Sequence, residues 1–423
     1  MVINIHKSAY RAVTKFTLYL YLFFNFSCLL YFSLTGYLGG DFRNQNIPSD
    51  FLLLSISFLI ILITFYLFLK VIPFFILKIK VKPLNNNTNL LIDIISFFVI
   101  LFGIYSAISF KVGVFGLEDN DAINAPPIIR MTSALIQPVY FGLLYIFYRN
   151  KPSSNFYKLN YILYIIFIFS AGQTGQLLLL FMLFMYNSYV KKNTINFKKV
   201  TMIIAICILI YPIFRLLKDI VLLSYIKNTA LLDNLDDIIS SNFLETYLTY
   251  LFISLERFQI VANTQYIISN YNDLHSIYSL TQNDLSKFFS NYWWASFIIK
   301  SFGIGYNLLD YYSPQSYLAY SINGKDYWAS HIGQIGYFIF YGYGGIVIFL
   351  YSVILSSITF LISKVISLTK SIQLLTWLLT LQLICHGWIF AYVSYLQSLL
   401  FFLAIVLIVK GCKSILNPRV LVT

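Results

Sequence analysis

The sequence predicts an all-α polytopic integral membrane protein of about ten transmembrane helices, and three observations predict it. Hydrophobic residues make up 59% of the 423-residue chain and charged residues 11%, with a mean hydropathy of +0.76. Soluble domains carry roughly a quarter charged residues, so lipid must replace water over most of this surface. Secondly, the basic residues are sorted. Eighteen of them fall in six short segments without an acid: Lys7, Arg11, Lys15; Lys78, Lys80, Lys82; Arg149, Lys151, Lys158; Lys191, Lys192, Lys198, Lys199; Lys364, Lys370; Lys410, Lys413, Arg419. Thirdly, of the sixteen acids only Asp93 lies within a span, and the rest occupy the alternate loops. That is the positive-inside pattern, and it places both termini on the cytoplasmic side. A net charge of +13 scattered in this way is not a nucleic-acid surface, which would gather its cations on one soluble face.

Span 1 is read at 16–38, retained rather than cleaved because its apolar run crosses a full bilayer. A short outer loop with Asp41, Arg43 and Asp50 leads to span 2 at 51–77, where Lys70 snorkels and Pro73 is set to kink the helix. Span 3, 90–110, carries Asp93 in its first turn, where a carboxylate suits the helix dipole. The loop that follows is acidic, and Pro126 and Pro127 open span 4 at 131–148.

The next apolar stretch is interrupted by Ala-Gly-Gln-Thr-Gly-Gln at 171–176. A single helix would put the basic runs on its two flanks on opposite sides of the membrane, so it must be a hairpin, with spans at 159–171 and 176–190. From Lys158 to Ala171 is about 20 Å of helix against a hydrocarbon core of roughly 30 Å. The turn then lies below the outer surface, where irregular backbone is tolerated only beside protein or water. Gln173 and Gln176 are placed to line such a cavity.

Span 7, 200–217, ends near Pro212, with Arg215 and Lys218 one turn apart on one face. A large outer loop, 218–331, follows. Within it 233–269 has helical periodicity ending near Asn270, 287–300 is an aromatic interfacial segment, and 303–330 is polar and rich in glycine and tyrosine. Spans 8 (332–362), 9 (371–388) and 10 (392–409) complete a single membrane domain. Four cysteines, none of them in the long loop, offer neither a disulfide framework nor a zinc spacing.

No phosphate loop, GxSxG, HExxH or CxxC is present, so no metal or cofactor is expected. The chemistry left to the chain is that of its outer cations. Arg215 is foremost among them, since a guanidinium grips two phosphate oxygens at once. Arg257, Arg130 and Lys325 are further candidates, as is His331, which opens span 8.

The broken hairpin "SAGQTGQLLLLF", the span end "YPIFRLLKD", the loop motif "LERFQ" and the return "YWASHIGQIGYFIFYGYGGIVIF" together resemble the O-antigen polymerase (Wzy) family. The resemblance covers most of the chain and rests on layout. It implies a C-type-glycosyltransferase-like bundle in the bacterial inner membrane that joins undecaprenyl-diphosphate-linked repeats into O-antigen or capsular polysaccharide. It further implies partnership with a flippase and a chain-length regulator. On this likeness Arg215 and Arg257 neutralise the leaving diphosphate, and His331 orients or deprotonates the acceptor hydroxyl. Lys218, Gln173, Gln176, Arg130 and Lys325 are the expected substrate-binding residues. The family often carries an arginine in the hairpin turn, where this chain has Gln173 and Gln176. A lipid-linked oligosaccharide flippase and an O-antigen ligase are the alternative readings.

Overall fold

A computed structural model describes residues 2–43, 45–84, 89–114, 125–150, 154–192, 197–227, 243–280, 284–293, 313–324, 329–366 and 369–416. The described residues are helical and form no strand, and six of the helices are long and apolar enough to cross a membrane. Lys325, the acids at 118–121, the start of the expected loop helix at 233–242 and the second half of the aromatic segment, 294–300, fall outside the described residues.

Helix α1 (Val2–Thr35) is longer than read, so Lys7, Arg11 and Lys15 ride on its first turns. Nothing in that segment breaks a helix, and Thr14 and Thr17 return their hydroxyls to carbonyls of the preceding turn. The helix stops at Gly36, which takes φ +77° and gives its N–H to the Phe32 carbonyl. Helix α2 (Phe51–Ile76) is capped by Asp50, whose carboxylate accepts from the Leu53 N–H at 2.8 Å. The expected disturbance at Pro73 takes the form of a π turn at Leu67–Val71. Proline has no N–H for the Leu69 carbonyl, and the Trp377 indole supplies one instead at 2.9 Å.

Helix α3 (Asn89–Phe110) matches the expected third span, but the fourth is two helices, α4 (Pro127–Ile136) and α5 (Pro138–Arg149). The break falls at Gln137, at φ +51°, because the residue before a proline is pushed out of the helical region. The expected interruption is present: α6 (Asn155–Ser170) and α7 (Gln176–Lys192) are separated by a turn with Gly172 at φ +65°. Helix α8 (Phe197–Lys227) runs ten residues past the expected end of span 7.

The described parts of the long loop are helical too: α9 (Phe243–Glu256), α10 (Val261–Ser269), α11 (Tyr271–Leu280), α12 (Leu285–Tyr292) and α13 (Pro314–Asn323). They pack into the bundle, α9 along α8 and α10 against α1, α2 and the helix that follows the loop. The expected eighth span is in fact a nine-residue helix, α14 (Gly333–Tyr341), and a full-length one, α15 (Gly344–Ile366). Gly342, at φ +54°, breaks them apart. Gly345 lets α15 lie against α14, since a Cβ there would come within 2.6 Å of the Phe338 Cα.

Helix α16 (Ser371–Ile384, ending in a π turn) and α17 (Ile389–Leu416) close the fold. All nine residues of α16 before its π turn are buried, as are ten consecutive residues of α5. Against them α17 lays Ile389, Tyr392, Leu396, Leu399, Phe402, Val406 and Val409, a stripe at spacings of three and four. Hydroxyl pairs hold this core where water is excluded: Tyr392 meets Thr359 and Thr380, and Tyr395 meets Thr376.

One end of the bundle gathers the basic segments. Lys364 donates to the carbonyls of Leu77 and Ile79, and His6 pairs with Tyr186 near Lys370. Asp93 lies at this end, and its role differs from the expected interaction with the helix dipole. It forms a buried ion pair with Arg149 at 2.7 Å and accepts from Tyr145 and Ser154. With Asp93 1% exposed and Arg149 6%, only such a partner makes the burial of either charge tolerable.

Candidate functional site

At the opposite end four separate pieces of chain converge: the loop after α1, the α9–α10 junction, the segment before α14, and the turn between α16 and α17. Each is fixed by something other than a regular helix bond. A 3₁₀ turn at Gly40–Phe42 presents Asp41, and Gly40 at φ +68° has no room for a side chain, the Gln259 amide standing 2.7 Å from where a Cβ would be. The α9–α10 junction is held by buried Asn25 of α1, which donates to the Phe258 carbonyl and accepts the Ile260 N–H. That break turns exposed Arg257 away from the helix axis.

The α16–α17 turn backs His331 through Trp388 and His386. α16 covers fourteen residues, about 21 Å, so its turn lies short of the level its longer neighbours reach. Its carbonyls are satisfied from α13 and α14: Gln315 and Tyr337 both donate to the Gly387 carbonyl, and Gln334 donates to that of Ile384. Gly387, at φ +85°, admits no side chain, because a Cβ would meet the Gly333 carbonyl at 2.7 Å.

The first three of these pieces border a small, partly open recess lined by Gly40, Asp41, Glu256, Arg257, Gln259, Asn263 and His331. Asp41 accepts on one oxygen, Oδ2, from Asn263 at 3.0 Å and from Ser330 at 2.6 Å. Burial pushes its carboxyl up, but Arg257, His331 and the two hydrogen bonds outweigh that and hold it below the usual carboxylate range. His331 accepts at Nδ1 from the Trp388 indole at 2.6 Å. An indole only donates, so Nδ1 carries the lone pair and Nε2 the proton. Burial, with His386 and Arg257 nearby, lowers the His331 pKa from its usual value, so the ring is neutral at physiological pH. Its Nε2 is buried without a hydrogen-bond partner.

Glu256 is adjacent in sequence to Arg257 but pairs with Arg43 at 2.8 Å and accepts the Gly40 N–H at 3.1 Å. Arg43 lies over the Phe252 ring, 5.5 Å from its centroid. The carboxylate is thus held by the first loop rather than by its sequence neighbour. Arg215 and Lys218, half-buried on α8, stand within electrostatic reach of each other and of Arg257. Tyr250 of α9 bonds Asp219 at 2.7 Å and holds α8 and α9 side by side at this level.

Of the residues expected from sequence, Arg257 and His331 line the pocket, while Arg215 and Lys218 stand within electrostatic reach of Arg257 without being among the lining residues. Gln173 and Gln176 do not line the pocket: Gln176 donates to Gln173, which reaches the Gly113 carbonyl at 3.5 Å. Arg130, in the first turn of α4, is likewise not among the pocket residues, and Lys325 is outside the described residues. Sequence reasoning passed over Asp41, Asn263, Ser330 and Trp388. The available signal for Asp41 was a carboxylate directly after Gly39–Gly40 in a short loop, where the backbone is free to turn it inward. Among the described residues no cluster of metal-ligating side chains occurs. No family model, curated protein or solved structure matches the chain.

Proposed function

We propose that the chain is a polysaccharide polymerase of the O-antigen polymerase type. It is a ten-span glycosyltransferase of the bacterial inner membrane, with both termini cytoplasmic and the pocket facing outward. Its donor and acceptor are undecaprenyl-diphosphate-linked repeats delivered by a flippase. The observation that carries this reading is the grouping of Arg215, Lys218 and Arg257 beside a pocket lined by two carboxylates, Asp41 and Glu256, and one neutral imidazole.

A lipid diphosphate is already an activated leaving group, so the reaction asks the protein for charge stabilisation and positioning rather than for a nucleotide. The acceptor hydroxyl oxygen forms a bond to the anomeric carbon of the donor glycan. The bond from that carbon to the diphosphate breaks, and its electron pair leaves with the lipid diphosphate. Fixed cations in a site of restricted solvent access are worth most where this charge develops. Arg215 and Arg257 supply two planar forks for phosphate oxygens, and Lys218 a third positive charge.

Arg215→Ala and Arg257→Ala test the reading in the cell that carries this chain. Long polysaccharide disappears from a gel of surface glycan while single repeats persist on their lipid. Full-length glycan from both variants refutes it.

A further inference from the structure

We infer that the recess between Asp41 and His331 is the subsite for the attacking sugar hydroxyl, with Asp41 taking its proton. This rests on the polymerase reading and goes beyond it, because the resemblance assigns no role to the first loop and gives the acceptor to His331 alone.

Two groups face each other across the recess with unmet needs. His331 has a buried Nε2–H without an acceptor, and leaving such a donor unpaired is costly. Asp41 has both of its protein hydrogen bonds on Oδ2, and none within the described residues falls on Oδ1. The occupant must therefore accept from an N–H and donate to a carboxylate at the same time. A phosphate or carboxylate would meet the Asp41 charge, and an ammonium offers nothing to the imidazole N–H. A hydroxyl satisfies both.

The tautomer divides the labour. With Nδ1 occupied by Trp388 and Nε2 already protonated, His331 has no free lone pair for the hydroxyl proton. It donates to the hydroxyl oxygen and fixes its direction, while Oδ1 of Asp41 receives the proton as the oxygen attacks. The electron pair of the broken donor bond leaves on the diphosphate, and the Asp41 proton passes to water once product departs. Arg257 from the α9–α10 junction, with the hydrogen bonds of Ser330 and Asn263, keeps Asp41 ionised between turnovers, while Glu256, the other acid facing it, is neutralised by Arg43.

The test uses the full chain in lipid nanodiscs and two probes. One is undecaprenyl diphosphate, whose binding reports the cation cluster. The other is the lipid-linked single repeat extracted from cells lacking the chain, whose elongation reports transfer. Asp41→Asn keeps acceptors for Asn263 and Ser330. It is expected to bind the diphosphate within about twofold of wild type while elongation falls about 10²–10⁴-fold, the range of a lost general base. His331→Gln, which still offers an N–H, retains more elongation than His331→Phe.

Elongation by Asp41→Asn within about threefold of wild type overturns the inference and leaves the polymerase reading standing. Joint loss of diphosphate binding and elongation also overturns it, since Asp41 then merely supports the pocket. Failure of wild type to bind the diphosphate or to elongate removes the polymerase reading, and the inference with it. Should Asp41→Asn aggregate, the wild-type pH profile decides. A rate held from pH 7 down to pH 6 supports Asp41, whereas a fall of about tenfold over that unit makes a histidine the base and overturns the proposal.

Discussion

The indole N–H of Trp388 points at Nδ1 of His331 at 2.6 Å, and this contact decides which imidazole nitrogen faces the pocket. It joins the turn before the last helix to the segment that opens α14. Replacing Trp388 by Phe keeps the ring packing, including the edge-on approach to His331 at 5.6 Å, and removes only the donor. The imidazole is then free to turn its lone pair to the pocket. A hydrogen bond of about 1 kcal/mol corresponds to a fall of about fivefold in elongation rate, read with diphosphate binding unchanged.

Acid stability carries the signature of the Asp41–His331 pair. The His331 pKa is lowered in the folded chain, so the unfolded chain takes up that proton first. Stability is full above the ordinary histidine value of about 6.5 and is lost as pH falls below it. Asp41, also lowered, adds stability above the ordinary carboxyl value that is lost as pH falls through its folded value. His331→Gln is therefore expected to flatten the upper part of the acid limb in thermal melts between about pH 6.5 and 5, and Asp41→Asn the part below about pH 4. Superimposable melts of wild type and both variants would exclude this.

The Asp93–Arg149 pair is a structural element at the basic end, remote from the chemistry. Asp93→Asn strands a buried guanidinium and Arg149→Met a buried carboxylate, each costing about 3–5 kcal/mol. The double variant is expected to melt above either single one, and the measurement is the midpoint of detergent-solubilised protein. Additive losses would show that the two charges act independently.

Gly345 and Gly387 are sites where the backbone approach, rather than any side chain, is essential. Gly345→Val drives a branched side chain into the Tyr337 carbonyl and the Phe338 Cα and is expected to abolish the yield of folded protein. Gly387→Ala combines a strained φ with a clash against Gly333. Protein that still folds is expected to lose elongation, because the turn that carries Trp388 to His331 has moved.

The helical membrane class, the interruption at 171–176 and the first, third and last spans were legible because each is a one-dimensional pattern of length, charge and apolarity. The breaks were less so. Pro138 marked the division of the fourth span, and Gly342 that of the eighth, yet both lie in runs apolar enough to be read through. The α16–α17 turn is the instructive miss. The turn was read at 389–391, between the ninth and tenth spans, whereas the structure sets it at 385–388, earlier in the chain, where Trp388 reaches His331. Arg215 and Arg257 were recognisable as cations on the wrong side for a snorkelling role. Asp41 was not, because its partners lie more than two hundred residues away in sequence.

The distances along the chain have a further consequence. The lining comes from residues near 40, 260 and 330, and the support behind His331 from 386–388, so no segment of the protein contains the pocket alone. While the polypeptide is still being synthesised and threaded into the bilayer, its first sixteen helices have neither Trp388 nor the turn that carries it. The nascent chain is inert until the final helix is inserted, and a message truncated anywhere before that point yields a protein without a site rather than a weakened one.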